Sequence, residues 1–313
     1  MSLYPRAITE YLALAGIPRG PKSKIFIVDT VNGDDNAGGD RFTQPLKTVA
    51  AAYAKTTANQ HDVVLMVGGP TSDAPTAAIT WAKDFTHLIG LTSALPGMGQ
   101  RARIVNSAAN DLAVLFTLSG SGCIVKNIQF FDGKDKAEDG AAVLVSGSRN
   151  LFENVFVAGM GHATPAGRAG SYSLKVTGHE NHFKTCTVGL DTIVRAQANA
   201  ELVVAGSRNS FEDCLLLSYS ETAGKFLAKI DNAAGDMRYT WFKRCLFHNY
   251  TVNWAAGITN AINMPAGGGT HYVILDDCTL VGVNSGWADV VTHIYGAGAA
   301  PNAGFGVALN PTT

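Results

Sequence analysis

The chain has 313 residues, 46% of them hydrophobic and 16% charged, with a formal net charge of −1. That much apolar content excludes a disordered tail and can fill one elongated core or two compact ones. The near-neutral balance, with no Lys/Arg block, excludes the general electrostatic grip on which nucleic-acid binders and binders of anionic membranes depend. The 34 glycines point to many tight turns between short strands, because glycine supplies turn conformations and weakens helix interiors.

Residues 1–22 read as an N-terminal arm. In "LYPRAITEYLALAG" Pro5 suits a first helical turn, and Ile8, Tyr11, Leu12 and Ala15 fall on one helical face. No apolar run approaches the ~20 residues of a bilayer span, and Glu10 interrupts the short apolar stretch, so neither a membrane anchor nor a signal peptide is expected. The stripe has two possible uses: it lies along the chain's own fold, or Ile8, Tyr11 and Leu12 are oligomer contacts on a neighbouring subunit.

Residues 23–99 read as a cap with first strands. A strand, "KIFIVD", leads into "NGDDNAGGD", then a helix from Leu46 to Lys55, then the strand "VVLMVGG". The helix would cover an open sheet end, which otherwise invites aggregation. The loop offers Asp34, Asp35, Asn36 and Asp40 as calcium ligands, but without a full EF-hand spacing. The plainer reading is an Asn/Asp/Gly turn into the helix.

Residues 100–285 repeat themselves. "VSGSRNLFENV" at Val145, "VTGHENHFKTC" at Val176 and "VAGSRNSFEDC" at Val204 are one sentence at intervals of 31 and 28 residues. "SGSGCIVKNIQF", "YTWFKRCLF" and "YVILDDCTL" extend it to six copies. Each unit is too small to bury its own apolar face, so the repeat predicts a solenoid of stacked parallel strands. Phe211 and Cys214 are three apart and would face opposite sides of a straight strand, yet both positions are apolar in nearly every copy, so a bend lies between them. The residue before the Cys position is Asn127, Asn154, Thr185, Asp213, Arg244 and Asp277, four of them Asn or Asp, which tolerate left-handed bends.

Stacking gives columns: Val125, Phe152, Phe183, Phe211, Phe242, Leu275 inside, and Ile128, Val155, Cys186, Cys214, Cys245, Cys278 beside them. The cysteines read as structural free thiols in a small apolar site, since no CxxC pair offers a metal or redox motif. Between these columns Lys126, Glu153, Lys184, Glu212, Lys243 and Asp276 alternate in sign at every step. Each charge would sit between two opposite ones, which argues for register keeping and against catalysis by Glu153 or Glu212. Residues 286–313 are a Gly/Ala-rich tail of low charge that should need a partner to order it.

With its bend-Asn ladder, its rung length and the strand–NGDD loop–helix–strand opening, the chain resembles the right-handed parallel β-helix superfamily, the pectate-lyase-like proteins, many phage virion proteins among them. The resemblance implies an all-β, single-stranded right-handed parallel β-helix with an N-terminal capping helix. It also implies trimeric assembly and two rival functions.

The leading expectation is a non-enzymatic virion protein, a capsid decoration, head spike or fibre component, with the capsid protein and itself as partners and no cofactor. The rival is a polysaccharide-cleaving lyase or hydrolase, or a non-catalytic adhesin for a host surface glycan. For cleavage the candidates are Asp191 with Arg195, and the loop acids Asp132, Asp135, Glu138 and Asp139; the plainer reading of the first pair is a structural ion pair. For glycan or partner contact they are Tyr239, Trp241, Tyr250 and Trp254, which cluster in "RYTWFKRCLFHNYTVNW". No GxSxG, HExxH or P-loop string occurs, and the eight histidines read as surface or packing residues.

Overall fold

A computed structural model describes residues 6–92, 99–100, 102–106, 112–135, 139–197, 200–231, 238–252, 257–265, 271–290, 293–296 and 307–308. The chain winds as a parallel β-solenoid of three sheets. Sheet A runs Ile25–Val28, Val63–Val67, His87–Leu91, Ile124–Lys126, Leu151–Glu153, His182–Lys184, Asn209–Glu212, Tyr239–Lys243, Tyr272–Asp276 and Ile294–Gly296, and ends with Val307–Ala308. Sheet B runs Arg103–Val105, Gln129–Phe131, Phe156–Ala158, Thr187–Leu190, Leu215–Tyr219, Leu246–Tyr250 and Thr279–Val281. Sheet C runs Ile79–Trp81, Val114–Leu118, Ala141–Val145, Tyr172–Val176, Ala200–Val204, Phe226–Ile230, Ile258–Asn263 and Val283–Ala288. Neighbouring strands pair in parallel except the last two of sheet A, Ile294–Gly296 and Val307–Ala308, which are antiparallel. The stack is longer than six repeats: sheet A begins at Ile25, before the repeated sentence becomes readable.

Each letter of that sentence has a physical task. The glycines stack directly: a Cβ on Gly147, Gly178 or Gly206 would meet the carbonyl oxygen of the previous rung's glycine at 1.9, 1.8 and 1.7 Å. Next come Arg149, Glu180 and Arg208, each left-handed with φ of 59°, 59° and 60°. The buried asparagines after them form a ladder. Asn150 Oδ1 accepts from Cys123 N, Asn181 Oδ1 from Asn150 N and Asn209 Oδ1 from Asn181 N, at 2.8–3.0 Å, while their side-chain amides donate to Gly120, Gly147 and Gly178. Buried turn groups are thereby satisfied without water.

The phenylalanines stack along the axis, with Phe152, Phe183, Phe211 and Phe242 centroids 4.8, 4.7 and 5.0 Å apart. The expected bend is present in all six copies: Asn127, Asn154, Thr185, Asp213, Arg244 and Asp277 have φ between 49° and 57°. Thr185 and Arg244 take this conformation despite the cost of a Cβ there. Their N–H groups, like those of Asn127, Asn154 and Asp213, donate to the next rung, Thr185 to Glu212 O at 2.9 Å and Arg244 to Asp276 O at 2.7 Å. The thiols follow. Cys186, Cys214, Cys245 and Cys278 each donate to the carbonyl of the phenylalanine one rung earlier at 3.3–3.4 Å, and all five cysteines are free. Burial pushes the Cys214 thiol up, and that of Cys123, which stands in the asparagine column, to about 11.

Two helices cover the N-terminal rungs. Helix α1, Arg6–Leu14, lies along the outer face of sheet A, where Ile8, Leu12 and Ile17 pack on Ile25, Ile27, Val63, Leu65 and Ile89. The oligomer-contact expectation is corrected here. Ile8 and Leu12 are buried within the chain and Tyr11 is half-buried against the same cluster, so the stripe is used up in cis. Helix α2, Val49–Lys55, is shorter than the expected Leu46–Lys55, because Thr48 takes an extended conformation and caps it, its Oγ accepting from Ala51 N at 3.2 Å. Val49 and Ala52 close the core, and Tyr53 stacks on Trp81 at 4.2 Å. No described helix is long and apolar enough to cross a membrane.

Candidate functional site

The NGDD loop spends its carboxylates on the fold. Asp35 accepts from Lys47 N, Thr48 N and Thr48 Oγ1 at 2.8–2.9 Å, holding the entry to α2. Asp34 Oδ1 accepts from the backbone and side chain of Asn36, and Asp40 faces Arg41 at 4.0 Å. Among the described residues no group of three His, Cys, Asp or Glu side chains converges where a metal would sit. Asp73, distant in sequence and unnoticed there, accepts from Val49 N at 2.7 Å. Burial pushes its carboxyl up to about 6, with the nearby Asp35 charge adding to the rise.

Arg195 and Asp191 do not form the expected pair. The loop after Thr187–Leu190 folds Arg195 into the corner between sheets B and C, where its side chain is 2% exposed. Nε bonds Glu201 Oε1 at 2.5 Å, Nη1 donates to Met160 O and Ile193 O at 2.9 Å, and Nη2 donates to Gly159 O and Leu190 O at 3.3 and 3.4 Å. Five contacts match the five N–H groups of a guanidinium, so none is left for a substrate. Glu201 also accepts from Ser173 Oγ at 2.5 Å and Ser218 Oγ at 3.1 Å. Gly189 makes room, since a Cβ there would meet Leu217 O at 2.0 Å and the Glu201 carboxyl at 2.8 Å. The sequence signal was a lone glutamate in the apolar strand "AELVV".

The loop acids scatter. Asp132 is buried and accepts from Asn106 Nδ2 at 3.0 Å, Asp135 lies 3.3 Å from His162, and Asp139 lies 3.3 Å from Arg168. Glu138 lies outside the described residues.

The densest polar surface is the outer face of sheet A in its later rungs. The six-residue charge column stands in register from Lys126 to Asp276, and Lys126–Glu153 and Glu212–Lys243 close at 2.9 and 3.1 Å. One column over, His182 Nδ1 lies 2.7 Å from Ser210 Oγ on the neighbouring strand, and His182 Nε2 lies 3.6 Å from Glu212 Oε2. Burial holds the His182 imidazole below its ordinary value, so it is neutral at pH 7. A tautomer with its proton on Nε2, toward Glu212, would leave Nδ1 to accept the Ser210 hydroxyl.

That order of serine, imidazole and carboxylate is the logic of an activated nucleophile. Its surroundings are not. The N–H of Ser210 donates to Asn181 O at 2.9 Å inside the ladder, so it cannot face a developing oxyanion. Glu212 is already bonded by Arg244 at 2.7 Å and by Lys243, which hold its carboxyl below the usual range.

Two of the four aromatic candidates share this face. Tyr239 and Trp241 occupy alternate positions of one strand, paired with Tyr272 and Ile274; Tyr239 is 37% exposed, and the buried Trp241 Nε1 has no partner. Lys243 Nζ stands 5.5 Å over the Trp241 ring. Tyr250 is on sheet B, beyond the Arg244 bend, with its ring 5.1 Å from Tyr219, so the expected cluster is divided between two faces. Trp254 lies outside the described residues.

No protein-family model and no curated protein matches the chain. Solved structures share its fold. Pectin methylesterase PemA from Erwinia chrysanthemi aligns with a TM-score of 0.56 at 14% identity, over 90% of this chain and 92% of that one. A pectin methylesterase from Aspergillus niger gives 0.56 at 12% identity, over 94% and 93%. Pectate lyase Pel9A gives 0.51 at 15% identity, over 93% and 83%. At such identity the likeness carries the architecture and not the activity.

Proposed function

We propose that this chain is a structural component of a virus particle, a rigid β-solenoid serving as capsid decoration, head spike or fibre component, which works by presenting surfaces and not by turning over a substrate. The virion setting rests on the resemblance read in the sequence. The observation that carries the non-catalytic part is the Ser210–His182–Glu212 row. It has a nucleophile, a base and an acid within reach, but the hydroxyl lies flat on a sheet whose N–H is spent and whose acid is tied to two cations. Arg195 and Glu201 are likewise consumed by each other.

A second reading, a glycan-binding surface, is favoured by one feature: Tyr239, Trp241 and Tyr272 stand together beside polar His182 and Ser210 on an open sheet. Its polysaccharide-cleaving form is supported only by shared architecture with pectin esterases and a lyase. The test is to incubate the protein with polygalacturonate, methyl-esterified pectin and a fluorophosphonate probe. The structural reading expects no new reducing or unsaturated ends, no acid release and no labelled serine. Turnover abolished by Asp191→Ala or Ser210→Ala, or a label confined to Ser210, would reverse the ranking; retention on an immobilised glycan without turnover would favour the adhesin.

A further inference from the structure

Four thiols stand in one file inside the solenoid. Cys186, Cys214, Cys245 and Cys278 hold the same place in successive rungs, the backbone carbonyls of the first three accepting from Leu215, Leu246 and Thr279 N at 2.9 Å. Their side chains share one conformation. Each Sγ lies 3.3–3.4 Å from the carbonyl oxygen of the phenylalanine one rung earlier, and 3.3–3.5 Å from the carbonyl oxygen two residues before it in the chain. One conformation repeated on parallel strands sets neighbouring sulfurs apart by the strand spacing, about 4.8 Å. The Cys214 thiol thus has those of Cys186 and Cys245 on its two sides, and Cys245 has those of Cys214 and Cys278.

That spacing decides what the file can bond. A disulfide needs sulfurs about 2 Å apart and β-carbons within about 4.5 Å, so side chains stacked a full rung apart do not reach one, and all four are free. A tetrahedral site needs three or four ligands around one point, and among the described residues no three His, Cys, Asp or Glu groups converge in that way. What the file offers is two sulfurs facing each other across a gap. A metal–thiolate bond is about 2.3 Å long, so a linear sulfur–metal–sulfur bridge spans about 4.6 Å, close to the strand spacing of about 4.8 Å. Soft closed-shell ions such as Cu(I) favour thiolates and are content with two.

We infer that the gaps of this file are two-coordinate binding sites for a soft monovalent cation of the Cu(I) or Ag(I) class, which enters at Cys278. Sheet B ends with Thr279–Val281, so no described strand stacks beyond that corner, and Cys278 is the thiol of the file that is not fully buried. The charge balances. In the gap between Cys245 and Cys278 one S–H bond breaks, its proton goes to solvent, and the thiolate neutralises the cation while the second sulfur keeps its proton and binds through a lone pair. With every gap filled, four thiols release three protons to three cations, and the file stays neutral, so no net charge is left in the apolar core. The paired ligands stand one rung apart, so no CxxC string marks them.

The test is an anaerobic titration of the reduced full chain with Cu(I), supplied as its acetonitrile complex, in competition with a chromogenic Cu(I) chelator, with circular dichroism before and after. The folded wild type should withdraw one ion per gap, three in all, with two sulfur neighbours per ion in X-ray absorption and a raised melting temperature. Valine is the substitution to use, since Val155 fills the same column one rung before Cys186. Cys278→Val should take up two ions and Cys245→Val, which borders two gaps, one. Cys123→Ala, at a buried thiol outside the file, should leave uptake unchanged. No uptake by the folded wild type, uptake that unfolds it, or three or more ligand atoms around each ion would overturn the inference. So would full uptake by a folded Cys245→Val or Cys278→Val, or uptake that depends on Cys123.

Discussion

The N-terminal end of the solenoid and its middle rungs use the same parallel backbone but are held in different ways. From Ile124 to Asp276 stability is repetitive: a phenylalanine column, a thiol column, an asparagine ladder and an alternating charge column, each contact made again one rung on. From Ile25 to Leu91 it is particular. The outer face is apolar and covered by α1, the open end is closed by α2, and single buried groups such as Asp73 and Asp62 fix the joints; Asp62 accepts from Lys24 N at 2.6 Å and from Thr57 N at 2.8 Å. A contact in the repeat has equivalents one rung away, whereas a contact in the cap has none.

The largest effect is expected inside the middle rungs. Phe183→Ala removes a ring stacked on both sides and should cost about 3–5 kcal/mol in denaturant unfolding, through the lost burial and the cavity left behind. Leu12→Ala should cost about 2–3 kcal/mol, and its effect should be local. Hydrogen exchange should quicken in Ile25–Val28 and Val63–Val67 and stay unchanged in Asn209–Glu212. If both regions quicken alike, the division into cap and repeat is wrong.

Single buried and bonded groups should respond to pH with opposite sign. Asp73 has its folded pKa raised to about 6, from 3.8 for the free group. Its contribution is fully present below about pH 4 and is lost as pH rises through 6, a change of up to about 3 kcal/mol. Asp73→Asn should therefore stabilise the protein at neutral pH and flatten the slope between those values in a melting series. Glu180, Glu212 and Asp213 have lowered values, chiefly because Arg149, Arg208 and Arg244 bond them. Their contribution is present above the ordinary carboxylate range and is lost as pH falls through the lowered values, as is that of the buried His87 in the N-terminal region, whose pKa burial lowers to about 3.

The smallest effect belongs to the charge column. Glu153→Lys would place three ammonium groups in a row between Lys126 and Lys184 and should cost about 1 kcal/mol at low salt, less as salt is added. A salt-independent loss would mean that packing and not charge was disturbed.

What the sequence disclosed was what it repeated. The bend residues, the thiol column and the sign alternation were legible because stacking in register turns one local rule into a column of like letters. A second left-handed column was hidden, since Gly122, Arg149, Glu180 and Arg208 share a conformation and no chemistry. Arg195 was misassigned because its partner Glu201 stands on the following sheet C strand, two of its further contacts come from a loop one rung back, and none of these letters recurs. The 28-residue interval already set Ser210 opposite His182, but their contact was passed over because the histidines read as surface or packing residues. The arm could not be assigned to its own fold because the apolar outer face it covers lies in rungs that carry no repeat signature.

The central claim, a structural role in a virus particle, is tested most directly by quantitative mass spectrometry of purified particles from the source of this sequence, counting copies of this chain against the major capsid protein. The account predicts a fixed whole-number ratio that survives extensive purification. Its absence from particles that contain every other structural protein would contradict it.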